Sequence, residues 1–371
     1  MKPIVTNTLA ISLIALSLSF TQLAYAGFDE GLAAYNKADF KTALKEWKPL
    51  AEEGDAKAQL NLGNMYADGQ GVAQDDKQAV SWFRKAAEQG YAGAQLILGI
   101  MYANGEGVAQ DDRQAVSWYR KAAEQGLAIA QHNLGVMYAD GTGVAKDNKQ
   151  AINWYQKAAE QGLAIAQHNL GVMYVKGQGV AQDYKQAVIW YRKAAEQGDA
   201  QAQFNLGLMY ANGLGVAQDY KQAVSWYRKA ADQGVAKAQS NLGVMYADGQ
   251  GVAQDDKQAV SWYRKAAEQG HAGAQTQLGL RYFLGQGVIQ DNKQARDWFV
   301  KAVIQGNAQA MAGMGVVADT KTERYAWYNL ASAYGYADAR KFRDDLAKEM
   351  TPQQLADGQE STRELQKLLP Q

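Results

Sequence analysis

The side chains able to do chemistry recur at a fixed register in this sequence, and the register argues against a catalytic set. Serine β-lactamase chemistry needs S-x-x-K, but the recurring tetrad, as at Ser117 to Arg120, places arginine where lysine is required. Arginine stays protonated and cannot act as the base. Of the three histidines, His132 and His168 share one position in adjacent repeats and are expected close in space, as ordinary surface histidines. A metal would need further ligands, and the sequence offers none. Carboxylate pairs such as Asp111/Asp112 and Asp255/Asp256 have the composition of an acid/base dyad. Both sit where a helix begins, so capping and macrodipole stabilisation account for them better. Loops such as Gly105 to Gly107 are followed by acidic residues, which makes a poor phosphate cradle. No K-T-G, H-E-x-x-H, G-x-S-x-G or P-loop sequence occurs. The expectation is a protein that is not an enzyme and holds no cofactor and no metal.

What the register does offer is recognition. Counting from the glycine that closes each repeat, position 7 reads Asn61, Asn133, Asn169, Asn205 and Asn241, a row able to hydrogen-bond an extended peptide backbone. Position 6 varies through Leu60, Leu96, His132, His168, Phe204, Ser240 and Thr276. Position 10 is an aliphatic stripe of Ile100, Val136, Val172, Leu208, Val244 and Leu280, headed by Asn64. At about 100° per helical residue these positions lie opposite 4, 8 and 12, the alanine, leucine and tyrosine of the buried side. Variation among repeats is what an asymmetric partner requires. Asn61, Asn133, Asn169, Asn205, Asn241, His132, His168, Phe204 and Leu208 are therefore the candidate contacts for a protein or peptide. A second reading stands beside this one. The stripe packs on the next repeat, the asparagines satisfy loop or neighbouring-helix backbone, and position 6 drifts in solvent.

The elements that carry these residues follow from the period. Gly54, Gly90, Gly126, Gly162, Gly198, Gly234, Gly270 and Gly306 are 36 residues apart, and columns headed by Gly63 and Trp82 keep the same spacing. Such a period means one supersecondary unit repeated, each copy burying its apolar face against its neighbours. In residues 91–126, Ala94, Leu98, Met101 and Tyr102 define an amphipathic helix A over Tyr91 to Ala103. Gly99 within it costs roughly 1 kcal/mol of propensity, so its recurrence implies helix axes too close for a side chain. A glycine-pair loop follows, then Asp111 as N-cap with Gln114 as capping-box partner, and helix B from about Asp112 to Gln125. The fold class is all-α, a solenoid of 36-residue helix hairpins.

The ends depart from the period. Residues 27–54 read as a half-matched cap with Trp47 in the tyrosine slot, and 55–306 as seven full repeats. Residues 307–335 form a shortened repeat lacking the glycine-pair loop, and 336–371 a helical cap whose last helix starts at Thr351-Pro352. Residues 1–26 read as a cleaved export signal, with Lys2, an apolar run from Leu9 to Phe20 and an Ala24-Tyr25-Ala26 site. No later segment is long enough to span a membrane. With 38 basic and 38 acidic side chains there is no net field to attract nucleic acid. The absence of cysteine excludes disulfides and a cysteine-linked lipid. The expected place is a bacterial periplasm or the medium outside the cell.

Ala94, Leu98-Gly99, Tyr102, Gly105-x-Gly107-Val108, Asp111, Ala115, Trp118-Tyr119, Lys121-Ala122-Ala123 and Gly126 match the pattern of the Sel-one-like repeat family, relatives of the tetratricopeptide repeats. The chain resembles that family over roughly residues 28–340. The resemblance implies a right-handed α-solenoid serving as adaptor or scaffold, with partners along a concave inner wall. It also implies, for exported bacterial members, work in cell-envelope assembly, polysaccharide export, signalling or host contact. Envelope glycan or peptidoglycan binding is the alternative, with a β-lactamase-like hydrolase behind it. Some Helicobacter relatives are cysteine-rich and carry a penicillin-binding or β-lactamase label; this chain departs from them by having no cysteine.

Overall fold

The computed structural model describes residues 26–369, which hold twenty helices and no strand. The expected export signal lies outside the described residues, apart from Ala26. The chain divides into two compact units, Met1–Gln197 and Gly198–Gln371. The first contains α1 (Ala26–Asn36), α2 (Phe40–Glu53), α3 (Ala56–Asp68), α4 (Asp76–Glu88), α5 (Ala92–Asn104), α6 (Asp112–Glu124), α7 (Ala128–Asp140), α8 (Asn148–Glu160), α9 (Ala164–Lys176) and α10 (Tyr184–Glu196). The second contains α11 (Ala200–Asn212), α12 (Tyr220–Asp232), α13 (Ala236–Asp248), α14 (Asp256–Glu268), α15 (Ala272–Leu284), α16 (Asn292–Val303), α17 (Ala308–Val316), α18 (Lys321–Ala333), α19 (Ala337–Ala347) and α20 (Pro352–Lys367). Helices A and B alternate, and within each unit successive hairpins stack.

One aspartate starts the B helix of every full repeat, and Thr320 takes its place in the shortened one. Asp111 Oδ1 accepts from the backbone N–H of Arg113 at 3.0 Å and of Gln114 at 3.1 Å, satisfying donors that the first helical turn leaves open. The reciprocal bond expected from the Gln114 side chain is not made among the described residues. Among the described residues the full capping box appears only at α20, between Thr351 and Gln354.

The Gly99 column has a different cause from the one its recurrence suggests. A methyl there would lie 2.6 Å from the Tyr119 ring, so what excludes a side chain is an aromatic ring from helix B, not a second helix axis. Phe83, Tyr155, Tyr191, Tyr227 and Phe299 fill the same slot in other hairpins. Trp47 fills it against Gly31, as its place in the sequence predicts.

Three contacts join one hairpin to the next. A buried glutamine does most of it: Gln95 Nε2 on α5 donates to the Ala87 carbonyl of α4 at 3.0 Å, and its Oε1 accepts from Gln125 Nε2 at 2.8 Å. The pair recurs at Gln59, Gln131 and Gln167 in the first unit and at Gln239 and Gln275 in the second. Next, Gly107 (φ +67°) lies against the Asp76 carbonyl of the preceding hairpin, where a methyl would come within 2.3 Å of the oxygen. Lastly, Arg84 donates to the Tyr102 hydroxyl at 2.6 Å, so the position-12 tyrosine is half-buried, not fully buried as the helical wheel predicts.

Candidate binding wall of the A helices

The candidate contacts all sit in the second and third turns of A helices, and their environments differ between the two units. In the second unit the wall is partly open. Phe204, Asn205 and Leu208 on α11 and Asn241 and Val244 on α13 are half-buried. Leu208, Asn241 and Val244 meet in a cavity of about 260 Å³ that Tyr220, Tyr227, Asn212 and Gln250 complete. Phe204 lies beside the Tyr227 ring, with centroids 5.9 Å apart. Burial pushes the Tyr227 hydroxyl up to about 12, and the Asn241 amide beside it offsets part of that. No ionisable acid or base other than tyrosine lines this cavity. It presents amides, hydroxyls and aliphatic carbon, a surface matched to peptide backbone and neutral side chains.

In the first unit the wall is more closed. Asn61 and His168 are half-buried, whereas Asn169 is 6% exposed and His132 and Asn133 are fully buried. His132 is thus not a surface histidine, and with Asn133 it is not an open contact in this structure. The physical reason is pairing. Asn169 Nδ2 lies 3.0 Å from His132 Nε2, and His132 Nδ1 lies 3.2 Å from Asn133 Oδ1. This arrangement is satisfied by a neutral imidazole carrying its proton on Nδ1. Asn133 Nδ2 is left without a hydrogen-bond partner among the described residues. Here Asn169 bonds a side chain of the preceding A helix and Asn133 a side chain of its own helix, not the loop or neighbouring-helix backbone that the second reading of the row expects. Along the aliphatic stripe Ile100 and Val136 are buried and Val172 half-buried in the first unit, and Leu208 and Val244 are half-buried in the second.

Sequence reasoning missed Tyr220 and Gln250. Tyr220 did carry a signal, because helix B begins with aspartate or asparagine in most repeats and with tyrosine only at Tyr184 and Tyr220. Gln250 gave none, since glutamine is common at that loop position. Among the described residues no group of three or more His, Cys, Asp or Glu side chains is placed to hold a metal, and no helix is long and apolar enough to cross a membrane.

A Sel1 repeat model matches seven consecutive segments, 56–91, 92–127, 128–163, 164–199, 200–235, 236–271 and 272–307. These are the hairpins seen in the structure. Among solved structures, c5321, described as a protective antigen of uropathogenic Escherichia coli displaying an SLR fold, is 32% identical. It aligns over 87% of this chain and 94% of its own, with a TM-score of 0.58. A Sel1 repeat protein from Oxalobacter formigenes is 33% identical over 81% of this chain and 97% of its own, with a TM-score of 0.62. No curated protein matches the chain.

Proposed function

Since the chain belongs to the Sel1 repeat family, whose members generally mediate protein–protein interaction, we propose that it is an exported, non-enzymatic scaffold that holds a protein or peptide partner against the wall of its A helices. The observation that carries this reading is the cavity between α11 and α13. Its neutral lining of Leu208, Asn241 and Val244 comes from the asparagine row and the aliphatic stripe of the A helices, and the variable position-6 residue Phe204 packs on Tyr227 beside it. A scaffold of this kind works by geometry: near-identical hairpins fix the spacing, and the variable side chains select the partner. Export rests on the character of residues 1–26 and is supported by the description of c5321 as a protective antigen. A cell-envelope complex is the setting we favour.

The test exploits substitutions that other repeats already carry. Phe204→Ser copies Ser240, Leu208→Asn copies Asn64, and Asn241→Ile copies Ile97, so the triple variant should fold. Tagged wild-type and variant proteins are recovered from crosslinked cell envelopes. The proposal predicts a protein partner retained by wild type and lost by the folded variant. Recovery of peptidoglycan fragments in place of a protein, or a partner indifferent to all three changes, would contradict it.

A further inference from the structure

Seven B-helix tryptophans carry a lysine from the next turn of their own helix. Lys121 Nζ lies 3.9 Å from the Trp118 ring centre, and the same stacking at 3.8–4.2 Å joins Lys85 to Trp82, Lys157 to Trp154, Lys193 to Trp190, Lys229 to Trp226, Lys265 to Trp262 and Lys301 to Trp298. An ammonium over an indole face is held by the ring quadrupole. The tryptophan that keeps this column in the shortened repeat breaks the pattern. Trp327 on α18 is followed at the same offset by Leu330, which is fully buried, so its own helix supplies no cation.

Trp327 is only 7% exposed. It lines a cavity of about 440 Å³ between α18 and α20. Ala326 and Leu365 add apolar wall, and Glu323, Glu360 and Glu364 bring carboxylates; no lysine or arginine lines it. Glu323 shares its charge with Arg296 at 3.7 Å. Glu364 pairs with Lys367 at 2.7 Å, an exposed pair of the kind that contributes little and yields to a competitor. Glu360 has no ion-pair partner among the described residues.

We propose that this cleft binds a lysine side chain of a partner peptide, replacing the lysine that Trp327 lacks. The ammonium sits over Trp327 between Glu360 and Glu364, and the methylene stem covers Ala326 and Leu365. The site is separate from the wall of the A helices and does not depend on it.

Calorimetric titration of the full chain with a capped five-residue peptide alternating alanine and lysine tests the assignment, with the lysine-acetylated peptide as control. Binding is expected for the free lysine peptide at low salt and to fall as salt rises, and the acetylated peptide is expected not to bind. Glu360→Gln with Glu364→Gln, both exposed and therefore compatible with folding, should weaken binding about tenfold or more, equivalent to ~1.4 kcal/mol. No binding of the lysine peptide, equal binding of the acetylated one, or an unchanged affinity in the folded double variant would overturn the proposal.

Discussion

At the scale of single residues, the columns of the sequence were legible but their partners were not. The glycine pairs announced positive φ, and Gly107 has it. That its Cα also faces the Asp76 carbonyl of the preceding hairpin could not be read, because a period does not say which neighbour a loop touches. The distinction is measurable. Gly126 also has positive φ but open space where a Cβ would go, so Gly126→Ala should lose only the conformational term, about 1 kcal/mol. Gly107→Ala adds a backbone clash and should lose clearly more, on the order of 2–4 kcal/mol by urea denaturation. Equal losses would show that the loop can withdraw. Gln95 is the converse case. A polar residue near the start of an amphipathic helix reads as surface, yet it is 4% exposed because it serves a carbonyl and an amide of two other segments. Gln95→Leu should cost about 1–3 kcal/mol by removing two buried hydrogen bonds, one to the Ala87 carbonyl, which keeps the Gly90 N–H, and one from Gln125.

At the scale of elements, the bounds of α5 and α6 fall within a residue of those expected from residues 91–126, since aspartate caps and closing glycines mark them directly. The open face of helix A was less legible. The wheel separated positions 4 and 8 correctly, with Ala94 and Leu98 fully buried, but it also set position 6 in solvent, and His132 is buried. A wheel knows only its own helix, whereas burial here depends on the helices beside it. One A helix has an unusual start. His271 caps α15 by accepting from the Ala274 N–H at Nδ1, 3.1 Å away. Burial, with a smaller push from Lys237, holds its pKa below the ordinary histidine value. A depressed histidine favours the neutral form when folded, so its contribution is present above about pH 6.5 and is lost as pH falls through the folded value. Amide exchange at Ala274 should therefore accelerate on mild acidification, and His271→Asp should remove that acceleration. Exchange insensitive to pH beyond the intrinsic chemical rate would mean that the cap is not held by Nδ1.

At the scale of the whole molecule, the all-α class and the run of seven repeats were legible in the period, since identical units must meet identical neighbours. The tyrosine column extends that to pH. Tyr119, Tyr155 and Tyr191 in the first unit and Tyr227 and Tyr263 in the second are raised above the ordinary phenol range chiefly by burial, the last two to about 12. Raised values stabilise the fold below the unfolded value near 10 and lose that stabilisation as pH climbs through the folded ones. Cooperative loss of helix at high alkalinity, coincident with tyrosine ionisation in absorbance, is expected; ionisation of these tyrosines near pH 10 with the helices intact would refute it.

The sequence marks a wall on the A helices without saying how far it is open. Hydrogen exchange of the chain with and without its captured partner measures that directly. Protection confined to residues 204–212 of α11 and 240–248 of α13 is the predicted footprint. Protection that spares both and falls on the B helices or the glycine loops would contradict a scaffold that works through its A-helix wall.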